Sequence, residues 1–590
     1  MNCATIDATE TASRWGRQLT RNISSLKDQQ FDVLIVGGGS FGACAAWEAV
    51  LRGYSVALIE ANDFGSGTSA NSFKFLHGGI RYLQHLDLRR LWSSCKERSA
   101  MLRIAPHLVK PLQIAMPTYG HGLRGKEFLG AGFLAYDLLT VGKNRGIYES
   151  GKRIPPAQFM GRNEVLDRFG FVNPTQLTGA AVFSDAQMYH PPRLVFSFVQ
   201  SAISKGACVH NYVQAKSFIR KSNRIMGVLA QDRLTGESFE IRSKIVLNAG
   251  GPWSERLFRD SEGRDIPDAG VYSRDTCFVI DAATDEQYAV ALQGSSIDTG
   301  AVIDRGARHL FVVPWRGKRL IGVWHILYDK SPDDIQVSED ELCRFLDEIN
   351  GVMRGEKIER DQIRMVNAGL VPFGASDDTG QELDFGKKSH LVDSARVHGL
   401  EGLITLIGVR HTMARGDSVK AMKIVDKKLR RSGSTPDSSK LLLLGGDVDD
   451  FRALKNRIPS TLEGQGSVDL RSELVALYGS GVDKFLKDLE LRDLLRRVES
   501  ADITEAQIKL AVRDEQAVTL GDVVFRRTPL AAAGNPGEPV LSSCARIMSD
   551  LLGWTQLRAE KEVQSVIARF PTATHSGRVS EPKIESLVDA

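Results

Sequence analysis

The chain has 590 residues, of which 42% are hydrophobic and 25% are charged, and its formal net charge is +4. This length allows two or three domains with a large core, and the nearly balanced charge gives no reason to expect binding to nucleic acid. Seven scattered cysteines without a C-x-x-C pair indicate neither a disulfide framework nor a zinc site, and they are typical of a reducing compartment. We therefore predict no metal centre.

The first 30 residues are polar and contain arginines, but they lack the apolar stretch of a secretion signal. We expect a disordered or partly helical extension over 1–30. A mitochondrial leader is the alternative, which the acidic residues Asp7 and Glu10 disfavour. No long uncharged apolar run occurs anywhere in the chain, so we predict no membrane span.

The segment from Phe31 to Glu60 predicts a complete dinucleotide-binding unit. The apolar residues 33–36 form a buried strand, the Ala-rich residues 43–51 form a helix, and residues 54–59 form a second strand. The second strand ends at Glu60, where a carboxylate can accept hydrogen bonds from ribose hydroxyl groups.

The loop between the first strand and the helix fits the pattern G-x-G-x-x-G. Gly37 allows a tight turn, Gly39 removes a Cβ where the backbone approaches a pyrophosphate, and Gly42 lets the helix pack closely on the sheet. Ser40 opens the helix, whose first N–H groups would face the phosphates.

Later segments alternate between strands and helices. Helical spacing predicts helices over 83–104, 194–204 and 418–431, and short apolar runs predict strands over 208–214, 216–230, 238–248, 310–313, 319–324 and 403–407. Two of these strands run into glycine turns, at Gly250 and at Gly408.

The domain boundaries follow from composition. Residues 31–431 form the nucleotide-binding domain with inserted segments, and a stretch rich in Gly, Ser, Pro and Asp opens a linker over 432–467. Residues 468–570 have helical spacing throughout, and 571–590 form a loose polar tail.

The segment FLGAGFLAYDLL at 128–139 is apolar but is too short to span a bilayer, and basic residues flank it. Two interpretations stay open. It is a buried helix, or it lies on a membrane surface.

The next glycine-ended strand follows the nucleotide unit by about 200 residues. This spacing is typical of flavoproteins rather than nicotinamide dehydrogenases, in which a second mononucleotide unit follows closely. We therefore predict FAD as the cofactor, with the inserted segments forming a substrate cap over the flavin ring.

The segment SGTSANSFKFLHGGIRYL at 66–83 carries a family signature. Together with NAGGPW at 248–253 and RDEQAVTLGDVVFRRTPL at 513–530, it resembles the FAD-dependent, quinone-linked glycerol-3-phosphate dehydrogenases over about 31–570. The resemblance implies an α/β fold, with a Rossmann-like FAD-binding domain of the glutathione-reductase/D-amino-acid-oxidase type. It also implies an inserted β-rich substrate cap and an all-α C-terminal domain.

The resemblance and the glycine loop together assign residues that bind FAD. They are Gly37, Gly39, Ser40, Gly42, Glu60, Thr68, Ser69, Lys74, Gly78, Gly79, Gly250 and Gly408.

A second group of residues is predicted to act in catalysis. Arg81 would bind an anionic substrate group and Tyr82 would pack beside it, while His77 lies in a loop where the backbone can approach the flavin. Arg410 would place positive charge near the reduced flavin. His411 and His325 are further candidate bases.

Several positions depart from the family pattern on the substrate side. Leu370 stands at the expected place of a phosphate-binding arginine, Arg410 replaces a lysine, and Cys277 lies near the place of a cap histidine. Lys388 falls near a second family arginine. These changes predict that flavin binding is retained and that glycerol 3-phosphate is a poor substrate.

The resulting hypothesis is an FAD-dependent dehydrogenase. It would oxidise the secondary alcohol of glycerol 3-phosphate or a related small, anionic hydroxy compound, and pass electrons to a quinone or another acceptor. The alternatives are an amine or hydroxy-acid oxidase or dehydrogenase, and a flavin-binding scaffold without catalysis. We expect a cytoplasmic protein that contacts the inner face of a membrane peripherally, and a homodimer is a further prediction.

Overall fold

A computed structural model describes residues 21–80, 82, 87–120, 125–266, 272–297, 307–372, 389–462, 469–572, 575–579 and 584. Numbered in chain order, the strands are β1 (Gln30–Val36), β2 (Val56–Ile59), β3 (Phe75–Leu76), β4 (Val109–Tyr119), β5 (Gln158–Gly161), β6 (Leu177–Met188), β7 (Cys208–His210), β8 (Val213–Lys221), β9 (Arg224–Asp232), β10 (Ser238–Asn248), β11 (Tyr272–Ile280), β12 (Tyr288–Ile297), β13 (Ala307–Trp315), β14 (Lys318–Tyr328), β15 (Ile363–Pro372), β16 (His390–Asp393) and β17 (Leu403–Ile407).

The α-helices alternate with these strands and then dominate the C-terminal part. They are α1 (Ser24–Lys27), α2 (Ser40–Leu51), α3 (Leu88–Ile104), α4 (Lys126–Leu139), α5 (Arg162–Arg168), α6 (Pro191–Ser204), α7 (Ser254–Glu262), α8 (Glu339–Val352), α9 (Ser394–His398), α10 (Ala414–Lys428), α11 (Phe451–Asn456), α12 (Leu470–Tyr478), α13 (Val482–Lys487), α14 (Leu489–Asp493), α15 (Glu505–Asp514), α16 (Glu538–Leu552) and α17 (Gln556–Ile567).

The nucleotide-binding sheet has the strand order β16-β17-β10-β1-β2-β7. Strand β1 pairs in parallel with both β10 and β2, so it lies inside the sheet. Its residues alternate between two cores. Val33 and Ile35 pack with helices α2, α6 and α10, whereas Leu34 packs on the other face with α7 and the β8–β9 hairpin. Because both faces are buried, β1 reads in the sequence as a continuous apolar run.

Some predicted boundaries needed correction. The single strand predicted over 216–230 is the outer part of the antiparallel hairpin β8–β9, with its turn at Ser222-Asn223. The helix predicted over 418–431 begins earlier, at Ala414. The helix predicted from residue 83 begins at Leu88, and most of the preceding turn lies outside the described residues.

The cap is a second, mainly antiparallel sheet with the order β15-β11-β14-β13-β12-β4-β6-β3, and β5 pairs with β6. Its strands are inserted between those of the first sheet, which confirms the predicted β-rich cap. One face packs on α8 through Phe345 and Leu346. Part of the other face, including Trp315, packs on the C-terminal helices.

Helices α12–α17 form the predicted helical C-terminal region. The predicted linker over 432–467 contains α11, so it is partly helical where it is described. At the other end of the chain, Arg21 forms an ion pair with Asp232, and the predicted N-terminal extension therefore packs on the sheet from this residue onward. Among the described residues, no helix has the length and apolar character needed to cross a bilayer.

Candidate active site

The glycine loop after β1 has almost no spare room. Gly37 has φ +105°, and a Cβ added there would lie 2.6 Å from the carbonyl oxygen of Ala249. A Cβ on Gly42 would lie 1.8 Å from the carbonyl oxygen of Gly37. The glycines at 37 and 42 are therefore required by the chain itself, because the loop, the start of α2 and the end of β10 are in direct contact.

Gly39 differs from its two neighbours in the motif. It precedes α2, and a Cβ added there would meet only the Ser69 hydroxyl, at 3.3 Å. Beyond Ser40, the N–H groups of Phe41 and Gly42 in the first turn of α2 precede the first intrahelical bond, from Ala43 to Gly39, and can therefore face an anion. This geometry fits a pyrophosphate that approaches the backbone at Gly39.

Two serines and a histidine meet at the start of α2. The Ser40 and Ser69 hydroxyls are 2.7 Å apart, and the backbone N–H of Ser40 donates to the Ser69 hydroxyl at 3.0 Å. His411 Nδ1 lies 3.1 Å from the Ser40 hydroxyl, and burial lowers the pKa of His411 to about 4. His411 was predicted as a candidate base. Its contact is with the phosphate-binding end of the site, and its imidazole is neutral, which favours a role in holding Ser40.

Glu60 lies beside the glycine loop, as its predicted role requires. Its carboxylate accepts hydrogen bonds from the backbone N–H groups of Gly38 at 2.6 Å and Asn62 at 2.9 Å. Burial raises the pKa of this carboxyl group despite both bonds. Each carboxylate oxygen retains a free acceptor direction, which is what ribose hydroxyl groups need.

Strand alternation shows which residues of the cap sheet face the segment of Thr68 and Lys74, which is predicted to bind FAD. This face of the sheet is called the cofactor face. On β15, Asn367 and Gly369 lie on this face, because Asn367 is 3.5 Å from Lys74 and a Cβ on Gly369 would lie 3.0 Å from the Thr68 side chain. Cys277 pairs with Asn367 and lies on the same face. Thr68 donates its hydroxyl proton to the carbonyl of Leu370 at 3.2 Å, so the segment predicted to bind FAD lies against this strand.

The predicted place of the lost arginine needs correction by one residue. The Leu370 side chain is buried in the apolar cluster against α8, on the opposite face of β15. Val371 therefore lies on the cofactor face with Gly369. The substitution argument made for Leu370 applies to Val371.

His325 lies on the cap strand β14, and its Nδ1 is 2.7 Å from Asp275 Oδ1. Asp275 pairs with Gly369 across the sheet, so this histidine–carboxylate pair is beside the strand that touches Thr68. The structure thus brings His325 near the predicted flavin segment. Its carboxylate partner was missed, because only the strand pairing brings Asp275 and His325 together.

Lys74 is buried beneath this face. Its ammonium donates to the carbonyl of Ala70 at 2.9 Å and lies 5.9 Å from the centre of the Trp315 ring. Burial lowers the pKa of Lys74 to about 8. It is an internal cation, in keeping with a flavin-facing role and not with a surface role.

His77 and Gly78 are held by a buried cluster that the sequence did not reveal. His77 Nδ1 is 3.7 Å from Asp185 Oδ2, and the Gly78 N–H donates to Asp185 Oδ1 at 2.5 Å. Arg98 donates to the same carboxylate at 2.6 Å and to the Tyr136 hydroxyl at 3.0 Å. A Cβ on Gly78 would lie 2.1 Å from Arg98, so glycine is required there.

Burial opposes ionisation of Asp185, yet the nearby His77 imidazole, the charge of Arg98 and the bond from the Gly78 N–H hold the pKa of this carboxyl group below its usual value. The His77 side chain is 44% exposed. A half-exposed imidazole therefore stands in front of a fixed, negatively charged carboxylate. The only sequence signal for Asp185 is that it is the one charged residue of strand β6.

Tyr82 and Arg410 form a second contact at the site. The Arg410 guanidinium lies 5.1 Å from the centre of the Tyr82 ring, within the range of a cation–π interaction. Gly79, with φ +78°, leaves room for this ring. Arg81 and Lys388 lie outside the described residues, and their roles stay predictions.

Gly250 and Gly408, which follow later strands and are predicted to bind FAD, differ in the space that a side chain would have. A Cβ on Gly408 would lie 1.9 Å from the Phe41 ring, so Gly408 admits Phe41 beside the glycine loop. At Gly250 a Cβ would make only an ordinary contact with Ser254, at 3.4 Å. The tight contact to the loop comes from the carbonyl of Ala249 instead.

Comparison with known proteins adds the family. A model described as FAD dependent oxidoreductase matches residues 32–408, and one described as the C-terminal domain of alpha-glycerophosphate oxidase matches 437–559. A curated glycerol-3-phosphate dehydrogenase from Synechocystis sp. is 30% identical, covering 92% of this chain and 97% of that protein. The chain belongs to the glycerol-3-phosphate dehydrogenase family of FAD-dependent oxidoreductases.

Other family members agree. The mitochondrial glycerol-3-phosphate dehydrogenase of Mus musculus is 27% identical, covering 94% of this chain and 75% of that protein. The fold is also that of a Bacillus halodurans glycerol-3-phosphate dehydrogenase solved with FAD, at 21% identity and a TM-score of 0.68, covering 93% of this chain and 96% of that one. The predicted fold class and the predicted FAD cofactor are confirmed.

Proposed function

We propose that this family member oxidises the secondary alcohol of glycerol 3-phosphate or of a closely related small anionic hydroxy compound. The observation that carries the proposal is the half-exposed His77 backed by the buried Asp185, near the Arg410–Tyr82 contact. Alcohol oxidation needs a group that takes the hydroxyl proton and cations that hold an anionic substrate. This chain offers both beside the predicted FAD site.

The proposal assigns each residue a role. The Gly39 loop, Ser40 and Glu60 would hold FAD, which supplies the acceptor for a hydride from the carbinol carbon. His77 accepts the hydroxyl proton, and the Asp185 carboxylate stabilises the resulting imidazolium. Arg410 supplies positive charge to the anionic substrate and to the reduced site.

The test is anaerobic bleaching of the flavin band at about 450 nm. The panel contains glycerol 3-phosphate, glycerol, two hydroxy acids and two secondary amines. We expect the phosphorylated or carboxylated alcohols to reduce the flavin. His77→Gln should slow reduction while the FAD content stays constant, and His398→Gln, which changes a histidine packed on Phe258, is the matched control.

Two outcomes would replace the proposal. Faster bleaching by the amines would support an amine oxidase or dehydrogenase on the same architecture. The departures from the family pattern at Val371 and Cys277, on the substrate side, favour such a change of substrate. Stable FAD binding without bleaching by any compound would support the non-catalytic scaffold.

We also propose peripheral contact with a membrane, where a quinone would receive the electrons. Helix α4 buries Phe133 and Tyr136, but Leu134, Leu138 and the following Val141 are each more than half exposed. Trp92 on α3 is also more than half exposed, and its indole N–H donates to the carbonyl of Leu139 at 3.0 Å. The two helices thus share one apolar surface, which suits the headgroup boundary of a bilayer.

Liposome co-sedimentation tests this contact. Leu138→Glu should reduce binding to vesicles, and Leu229→Glu, on strand β9, should not. Salt or alkaline wash should release the wild-type protein. Retention after such a wash, or equal loss in both variants, would contradict the proposal. The homodimer is a separate prediction for sedimentation analysis.

A further inference from the structure

The segment that follows Glu60 links the FAD site to the C-terminal domain. Gly65 donates its N–H to the carbonyl of Gly38 at 3.0 Å, and a Cβ on Gly38 would lie 2.8 Å from the Phe64 ring. Residues 63–65 therefore form one wall of the glycine loop. The position of this wall fixes where Gly38 and Glu60 can lie.

Asp63, in the same segment, is fully buried and is bonded mainly by residues from far along the chain. Arg526 donates to Asp63 Oδ2 at 2.6 Å, and Arg527 donates to both oxygens, at 2.7 and 2.8 Å. Asn211 completes the set with a bond of 2.9 Å. Four donors converge on one carboxylate, and charge-assisted bidentate pairs of this kind are among the strongest hydrogen bonds in proteins.

Both arginines come from a π-helical turn, Asp522–Arg527, in the C-terminal region. Asp522 accepts a hydrogen bond from the Tyr212 hydroxyl at 2.7 Å, and Tyr212 donates its backbone N–H to the carbonyl of Asn62 at 2.9 Å. The C-terminal region thus contacts Asp63 directly and Asn62 through Tyr212. A π-helical turn is rare and frequently occurs at functional sites.

Aromatic packing reinforces the connection. The Arg527 guanidinium lies 4.3 Å from the centre of the Phe196 ring, and the Phe196 and Phe64 rings are 6.0 Å apart. A shift of Arg527 would therefore disturb Phe64 as well as Asp63. Both residues belong to the wall of the glycine loop.

We infer that the C-terminal domain controls FAD affinity through Asp63, with Arg526 and Arg527 as positioning residues for the cofactor site. In this proposal the arginines act on the cofactor through Asp63. They fix the wall that orients Gly38 and Glu60, so docking of the C-terminal domain and FAD binding are thermodynamically linked. Such a link is reciprocal, and FAD must in turn stabilise the docked C-terminal domain.

The experiment compares two arginines that form ion pairs between the C-terminal region and the rest of the chain: Arg527, paired with Asp63, and Arg316 of the cap, paired with Glu473. Arg527→Met removes one of the two guanidinium groups from Asp63. Arg316→Met is the matched control, because Arg316 bonds to Glu473 at 3.1 Å and, among the described residues, its contacts do not include the 60–65 segment. The dissociation constant of FAD is measured by titrating apoprotein.

We expect Arg527→Met to weaken FAD binding by about tenfold or more, and Arg316→Met to change it by less than about threefold. Arg527→Lys, which keeps the charge but loses the bidentate fork, should fall between wild type and Arg527→Met. This milder variant keeps the inference testable if Arg527→Met does not fold.

Limited proteolysis in the exposed stretch 432–437 supplies the reciprocal readout. FAD should slow cleavage there in the wild type and in Arg316→Met, and it should have little effect in Arg527→Met. Equal loss of FAD affinity in both methionine variants would mean general destabilisation and would overturn the inference. Unchanged FAD affinity in Arg527→Met would overturn it as well.

Discussion

The cofactor side and the substrate side of the site differ in the partners of their residues. On the cofactor side, Gly37, Gly42 and Gly408 contact other parts of the chain so closely that one methyl group would collide. On the substrate side, Val371 is only partly buried, on the face that we expect the substrate to approach. The residue at a position can change when its side chain contacts only a ligand that can itself be exchanged. The residue is fixed when it contacts another part of the folded chain.

The largest effect on FAD content, a colourless protein, should come from Gly42→Ala. The new Cβ would lie 1.8 Å from the carbonyl of Gly37, and overpacking of this kind costs about 1–3 kcal/mol even after relaxation. We expect a colourless protein with a lowered melting temperature. The ratio of flavin to protein absorbance and thermal unfolding measure both effects. Gly132→Ala is the control, because a Cβ there meets no atom within 4 Å.

Arg410→Met tests the charge at the border of the two sides. If Arg410 stabilises developing negative charge, its loss should raise the barrier to flavin reduction by about 2–4 kcal/mol and leave FAD affinity nearly unchanged. Stopped-flow reduction and FAD titration separate these effects. Arg410→Lys, which restores the family residue, should recover most of the rate. An unchanged reductive rate in Arg410→Met would remove this residue from the mechanism.

Val371→Arg should adapt the substrate side to a phosphate. Wild-type kcat/KM for glycerol 3-phosphate is expected to be at least about tenfold below that for a related anionic alcohol, and the new guanidinium on the cofactor face should raise it about tenfold, or about 1.4 kcal/mol. Leu370→Arg is the contrast. It would bury a charge in the apolar cluster against α8, and it should lower stability without any gain in activity. Efficient wild-type turnover of glycerol 3-phosphate would show that the substitution is neutral.

The smallest effect concerns His411. Its folded-state pKa of about 4 lies below the ordinary value of 6.5, so the unfolded state binds more protons in this interval and stability falls as the pH is lowered. Between pH 7 and pH 5.5 the loss from this residue should be about 1 kcal/mol. Urea unfolding at both values should show a smaller difference in His411→Asn than in the wild type. An equal difference would mean that His411 is not buried neutral.

The glycine loop was predictable because its function depends on local spacing, and residues 37–42 carry that spacing on their own. The residues of β15 that lie on the cofactor face were not predictable. A shift of one residue exchanges Leu370 for Val371, and only the strand pairing fixes the register. Asp185 and Asp275 were missed for a related reason. Each meets its histidine through sheet pairing or packing between segments distant in sequence.

The strand order of the nucleotide-binding sheet also determines at which stage of synthesis of the chain the FAD site can form. Strand β1 is synthesised early, yet its parallel partner β10 ends at Asn248, and β10 in turn pairs with β17, which ends at Ile407. Asp63 gains its two guanidinium partners only after residue 527. A ribosome-bound fragment ending near residue 431 would contain every predicted FAD ligand, but Asp63 would lack both arginines. We expect such a nascent chain to capture FAD poorly, so the cofactor enters near the end of biosynthesis.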